Sequence, residues 1–280
     1  MCGIVGFTGK HQAAPILLDG LSKLEYRGYD SAGIAVRDGE NETEVIKAKG
    51  RLKVLIEKTN GGESVPGTCG IGHTRWATHG EPSDINSHPH GNKRVSIVHN
   101  GIIENYKQIK DFLIEEGYSF VSETDTETVA KLLDYYYVDD PVDTIIKVLS
   151  EIKGSYALGI MFRDYPDTVF AVRKECPLIV GVGENENFLA SDVPAIIKYT
   201  RDYYLLEANE IAVVKKDSVQ IYDMHKEPVH KEINTADWDV DAAEKGGYEH
   251  FMLKEIHEQP AAVRDTVSPR IINGMPDLSQ

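Results

Sequence analysis

The sequence predicts an α+β protein in which two antiparallel sheets are flanked by helices. Three observations carry this. Apolar runs of strand length dominate both ends of the main body, amphipathic helical patterns group between them, and turn residues separate the later strands. Cys2-Gly-Ile-Val-Gly-Phe7 reads as a buried first strand, and Leu17, Leu21 and Leu24 then recur at i, i+4 and i+7 on one helix face. Further strands are expected over 33–36, 45–48, 70–74 and 95–99. Ile102, Tyr106, Ile109 and Leu113 mark a second helix. A third is announced by the capping box Thr124-Asp-Thr-Glu127, followed by Val129, Leu132, Leu133, Tyr136 and Tyr137. Pro141 behind Asp140 opens a fourth, with Val142, Ile145, Ile146 and Leu149 on one face.

From Gly154 the pattern changes to strands over 156–162, 169–172, 178–182, 211–214 and, less regularly, 218–222. The stretch 224–247 is polar and acidic without a sustained period and reads as a linker between a domain over 1–223 and a new segment over 248–280. Tyr248 to Gln259 reads as a helix ended by Pro260, and the whole of 248–280 reads as the opening of a second domain that is cut short.

The 280 residues are 41% hydrophobic and 27% charged, an ordinary globular balance. Lys and Arg number 30 against 45 Asp and Glu, a net charge of −15. That surplus repels a phosphate backbone, so nucleic acid is not an expected partner. Apolar runs such as Tyr156–Phe162 fall far short of a membrane span, and no basic stretch followed by an apolar one marks a secretory signal. The three cysteines, at 2, 69 and 176, form no CxxC pair and fit a reducing cytoplasm. Cys69 and Cys176 read as small buried residues, and the tyrosines at 135–137 as core.

The most informative residue is Cys2. Its small side chain permits removal of Met1, which leaves a thiol and a free α-amino group on one residue. An α-amine titrates near pH 8, so nucleophile and general base would sit side by side. Three glycine-rich segments end apolar runs in the same region: Tyr26-Arg-Gly-Tyr-Asp-Ser-Ala-Gly33, Gly70-Ile-Gly-His-Thr-Arg-Trp-Ala-Thr-His-Gly80 and His99-Asn-Gly-Ile-Ile-Glu-Asn105. Such segments let the backbone approach a ligand while polar side chains face a cleft. His73, His79, His88, His90 and His99 show no HExxH or paired CxxC spacing, so no metal or other cofactor is expected.

These motifs, in this order, resemble the glutaminase domain of the class II, N-terminal-nucleophile glutamine amidotransferases. The resemblance runs from Cys2 to about Tyr222. Tyr26-Arg-Gly-Tyr-Asp30 and the Met252–Pro260 segment resemble the branch that makes amino sugars. The resemblance implies a four-layer αββα sandwich and hydrolysis of L-glutamine to glutamate and ammonia through a Cys2 thioester. It also implies that Asn100 and Gly101 form the oxyanion hole, that Arg75 binds the substrate carboxylate, and that Asp125 binds its ammonium. Trp76, Thr78 and His79 would lie around the glutamine on a closing loop from Arg75 to about Pro82, with Arg27 as a supporting residue.

In the longer enzymes of this branch, the resemblance implies, a fused isomerase half uses the ammonia to turn fructose 6-phosphate into glucosamine 6-phosphate, in an assembly that admits a homodimer. The present chain would make glutamate and ammonia but no amino sugar. Two alternatives stay open at this point: the glutaminase half of another amidotransferase, and a glutamine-binding module without turnover.

Overall fold

The computed structural model describes residues 2–39, 41–77, 80–237, 247–272 and 274–276. The chain divides into two units, Met1–Ala236 and Asp237–Gln280.

The first unit is built on two antiparallel sheets. In spatial order the larger holds β14 (Asn234–Thr235), β11 (Asp202–Leu205), β9 (Ile179–Val182), β10 (Asn187–Ala190), β1 (Gly3–Thr8), β4 (Cys69–Arg75), β2 (Ser31–Arg37) and β3 (Glu44–Lys49). The smaller holds β13 (Ser218–Tyr222), β12 (Ile211–Lys215), β8 (Thr168–Lys174), β7 (Gly154–Phe162), β6 (Val95–Ile103) and β5 (His90–Gly91). Side chains alternate across each strand, so every central strand feeds two cores. Ile4, Ile71, Val98, Ala157, Val169, Ala171, Val180 and Leu189 pack between the sheets.

The outer faces are covered by helices. α1 (Ala13–Leu24) lies on the larger sheet with Leu17, Leu21 and Leu24 fully buried, each contributing about 1.5–3 kcal/mol by removal from water. α2 (Leu52–Lys58) lies beside it against β2 and β3. α3 (Tyr106–Glu115), α4 (Asp125–Tyr136) and α5 (Pro141–Glu151) cover the smaller sheet, with Ile109, Leu113, Leu132, Leu133, Ile145 and Val148 packed on Ile97, Leu158, Ile160 and Phe170. The result is the αββα sandwich implied by the resemblance.

Local chemistry accounts for the helix starts. Asp140 Oδ1 accepts from Val142 N–H at 2.8 Å and Asp143 N–H at 3.0 Å, while Oδ2 meets Lys226 Nζ at 2.8 Å. Replacing Asp140 by alanine is expected to cost about 1–2 kcal/mol, read as a lowered denaturant midpoint with unchanged slope. Thr124 caps α4 by accepting from Glu127 N–H at 3.3 Å. The reciprocal half of the expected capping box is absent, because Glu127 instead accepts from Val121 N–H at 3.1 Å and Ser122 N–H at 2.6 Å. The carboxylate thereby ties down the strap leading into the helix.

Four expectations need correction. Ile102 belongs to β6 and not to a helix, because pairing with β7 continues through Ile102 opposite Ser155 and Ile103 opposite Gly154, which delays α3 to Tyr106. Part of the expected linker is structured: Val229 N–H donates to Ile221 O at 2.8 Å and β14 adds an edge to the larger sheet. Tyr135 and Tyr136 are only half-buried, and Tyr137 alone is fully in the core. In the second unit, α6 (Phe251–Val267) runs through Pro260. The ring removes one donor to the carbonyl of Ile256, but Ala261, Ala262 and Arg264 beyond it are strong helix formers and carry the helix on. After it, β15 (Ile271–Ile272) pairs with β16 (Met275–Pro276).

Candidate active site

The apolar core between the sheets turns polar at one end. The alternation that buries Ile4 on β1 brings Cys2 to the same face, the one that buries Ile71 on β4 brings His73 and Arg75, and the one that buries Val98 on β6 brings Asn100. A cavity of about 380 Å³ opens at this point. Seven of the nine residues singled out in the sequence line it: Cys2, Arg27, Arg75, Trp76, Asn100, Gly101 and Asp125. Thr78 and His79 lie outside the described residues.

Cys2 Sγ accepts from the backbone N–H of Trp76 at 3.1 Å. Burial pushes its thiol above the ordinary value, against the opposing pull of that N–H and of the Arg75 charge. The thiol is therefore protonated at neutral pH and needs a base to react. Asn100 Nδ2 donates to the Cys2 carbonyl at 3.1 Å, and Asn100 Oδ1 lies 2.9 Å from His73 Nε2. Gly101 follows with φ of 124°, and a Cβ there would sit 2.1 Å from the carbonyl oxygen of Ser155. Only glycine lets β6 and β7 pair through this point.

Arg75 and Asp125 carry opposite charges to the same cavity, and both are buried. Arg75 Nη2 donates to Gly80 O at 3.0 Å. Asp125, the first residue of α4, accepts the Ile103 N–H at 2.8 Å, so one carboxylate oxygen is fixed by β6. The helix N-terminus favours its negative charge. A cavity with one guanidinium, one carboxylate and a thiol suits an amino-acid zwitterion whose side chain reaches the sulfur.

The Tyr26–Asp30 motif braces this wall. Asp30 N–H donates to Arg75 O at 3.0 Å, and Asp30 Oδ2 accepts the Ala77 N–H at 2.9 Å. Arg27 forms an ion pair with Asp192, whose neighbour Ser191 accepts the Ile4 N–H at 3.1 Å. Arg27 is thus linked to the segment that holds the start of β1. Trp76 is about half exposed and its ring meets Tyr29 edge-on.

The histidines make a buried wall around the cavity. His73 stacks on His88 with ring centres 4.1 Å apart. Burial pulls His73 down to about 3 and holds His88 and His90 well below their ordinary value, so all three are neutral. Their nitrogens meet separate partners: His88 Nδ1 accepts the His99 N–H at 3.2 Å, and His90 Nε2 lies 3.1 Å from Thr124 Oγ1. They do not converge on a common point, and among the described residues no group of three or more His, Cys, Asp or Glu is arranged to hold a metal.

Sequence reasoning gave no site role to Thr124, Thr126, Ser155 or Cys176, all of which line the cavity. Cys176 is a correction, being half-buried at the cavity rather than packed in a core, whereas Cys69 is fully buried with its thiol pushed up to about 12. Thr124 and Thr126 were visible in the capping motif, but their proximity to Cys2 depends on a contact between α4 and β6 that no local pattern encodes.

Comparison with known proteins agrees with this geometry. Residues 73–198 match the family described as glutamine amidotransferase domain. The chain is 61% identical over 275 residues to the glutamine–fructose-6-phosphate aminotransferase [isomerizing] of Caldanaerobacter subterraneus subsp. tengcongensis, covering 98% of this chain and 45% of that protein. It is 56% identical over 276 residues to the protein of the same name from Clostridium tetani, with the same coverage. Among solved structures, the glutamine phosphoribosylpyrophosphate amidotransferase of B. subtilis aligns with a TM-score of 0.70 at 26% identity, over 80% of this chain and 49% of that one. Residues 73–198 thus belong to a glutamine amidotransferase domain. The chain spans about half the length of the curated relatives it matches.

Proposed function

We propose that this domain hydrolyses the side-chain amide of L-glutamine, with Cys2 as nucleophile. The observation that carries the reading is the convergence of Cys2, Asn100, Arg75 and Asp125 on one cavity. Arg75 holds the α-carboxylate of glutamine and Asp125 its α-ammonium, which directs the amide carbon to the sulfur. Removal of Met1 frees the α-amine of Cys2. That amine takes the thiol proton as sulfur attacks, then passes a proton to the departing nitrogen, which leaves as ammonia. The Asn100 amide and the Gly101 N–H stabilise the oxyanion in between. Water then cleaves the thioester to glutamate and restores the thiol. Trp76, with Thr78 and His79, encloses the substrate, and Arg27 supports the start of β1.

The matched relatives are named glutamine–fructose-6-phosphate aminotransferase [isomerizing], which supports fructose 6-phosphate as the acceptor. On this reading the ammonia reaches that sugar within a longer cytoplasmic protein and gives glucosamine 6-phosphate. On the same reading the glutaminase domain runs from Cys2 through β14 to about Ala236, and 248–280 form the beginning of the isomerase half. Among the described residues no helix is long and apolar enough to cross a membrane.

The test pairs intact mass with glutamate release. Glutamate production from glutamine is expected to scale with the fraction of chains that have lost Met1. Equal turnover by chains that retain it would sink the mechanism, and processed chains that bind glutamine without turnover would point to a binding module.

A further inference from the structure

Asn100 has to present nitrogen, not oxygen, to the reacting centre, yet the two ends of a side-chain amide have almost the same shape. The surroundings decide between them. The Cys2 carbonyl can only accept, so the atom of Asn100 that faces it at 3.1 Å must be Nδ2. Oδ1 is then left facing His73 Nε2 at 2.9 Å. An imidazole nitrogen in contact with an amide oxygen must carry the hydrogen, which defines the tautomer of His73 as Nε2–H. The ring has little freedom to do otherwise. His73 is fully buried, lies on β4 between Ile4 of β1 and Gly33 of β2, and stacks within 13° of parallel on His88.

We propose that His73 is a positioning residue for glutamine hydrolysis: its Nε2–H, donated to Asn100 Oδ1, holds the Asn100 amide nitrogen toward the oxyanion. This rests on the glutaminase reading above. Without that donor the amide can rotate by half a turn, and Oδ1 then opposes the negative charge that Nδ2 is there to stabilise. His73 lines the cavity, and in this account it acts on the reaction through Asn100. Its effect is confined to the step in which the oxyanion exists.

The experiment compares His73→Leu, which removes the donor, with His73→Gln, whose side-chain nitrogen falls close to the position of Nε2. All variants are assayed as the chain freed of Met1. His73→Leu is expected to lower kcat about 10²-fold, the scale of losing one oxyanion donor. KM for glutamine stays within about threefold, because Arg75 and Asp125 are untouched. His73→Gln recovers about tenfold of the loss. A second readout is affinity for the γ-aldehyde of glutamate, which adds the Cys2 thiol across its carbonyl and places an oxygen where the oxyanion forms. It weakens by the same factor as kcat/KM, while alkylation of Cys2 by iodoacetamide keeps its rate.

An unchanged kcat in His73→Leu overturns the proposal. So does a joint loss of kcat, glutamine affinity and alkylation rate, which marks a merely structural role, and so does a glutamine variant no better than the leucine one. Cys2→Ala run alongside separates the two readings. If it still turns over glutamine, the glutaminase mechanism fails; if it is inactive while His73→Leu is unimpaired, only the present inference fails.

Discussion

Replacing Cys2 by alanine is expected to lower glutamine turnover by at least about 10⁴-fold while leaving glutamine binding nearly intact. The reason lies in the division of labour within the cavity. The opposite charges of Arg75 and Asp125 hold the invariant part of the substrate, and both are fixed by protein contacts independent of the thiol. Calorimetric titration with glutamine should therefore give a dissociation constant within a few-fold of the processed wild-type chain. A variant that loses binding along with turnover would mean that Cys2 shapes the pocket rather than attacking the substrate. The thiol adds a pH signature. Because burial raises its pKa, the thiolate fraction climbs with pH through and beyond the range of an ordinary cysteine. Alkylation of Cys2 should accordingly accelerate with rising pH without levelling off below about pH 9.

The second large effect is expected at Gly101. An alanine there must adopt φ near 124° and place its methyl 2.1 Å from Ser155 O, a backbone atom near one end of the β6–β7 pair. The strain of the backbone conformation is of order 1–3 kcal/mol, and separating the two strands to relieve the clash adds a similar amount. Gly101→Ala should lose about 3–5 kcal/mol of stability and essentially all turnover, measured by urea denaturation and glutamate release. Gly117 supplies the control. It also has positive φ, 90°, but a Cβ there meets nothing within 4 Å. Gly117→Ala should thus show the conformational penalty alone, about 1 kcal/mol, with turnover unchanged. Equal losses at both sites would refute the steric account.

How much was legible in the sequence follows from the range of the signals. Leu17, Leu21 and Leu24, the Asp140-Pro141 start and the central strand runs are local patterns, and the structure contains each. α2 went unseen because only Leu52 and Leu55 of its seven residues are buried, too few to set a period. β10 and β14 were missed for a related reason. Four residues and two residues, respectively, are too short to set a period: β10 is held between its neighbour β9 and the distant β1, and β14 by β11. Ile102 fits a helical spacing, but its pairing with Ser155 prevails. At the site, Cys2, Asn100 and Arg75 announced themselves through their unusual neighbours. His73 sits inside the same motif as Arg75 yet was weighed only as a metal ligand, since its contact with Asn100 spans 27 residues and two different sheets. Asp30 likewise reveals its bracing of Ala77 only when the strands are assembled.

The position of β1 has a consequence for how long the site keeps its shape. The strand is bonded on one edge to β10 and on the other to β4, and every one of its residues is buried. Backbone amides in such a strand exchange with solvent deuterium only when the whole molecule opens, so their protection reports global stability rather than local breathing. The strand that starts one residue after the sulfur is thus among the last parts to come loose. Anything that erodes the protein's overall stability will therefore erase activity in proportion to the unfolded fraction, with no earlier softening in the strand beside the thiol to warn of it.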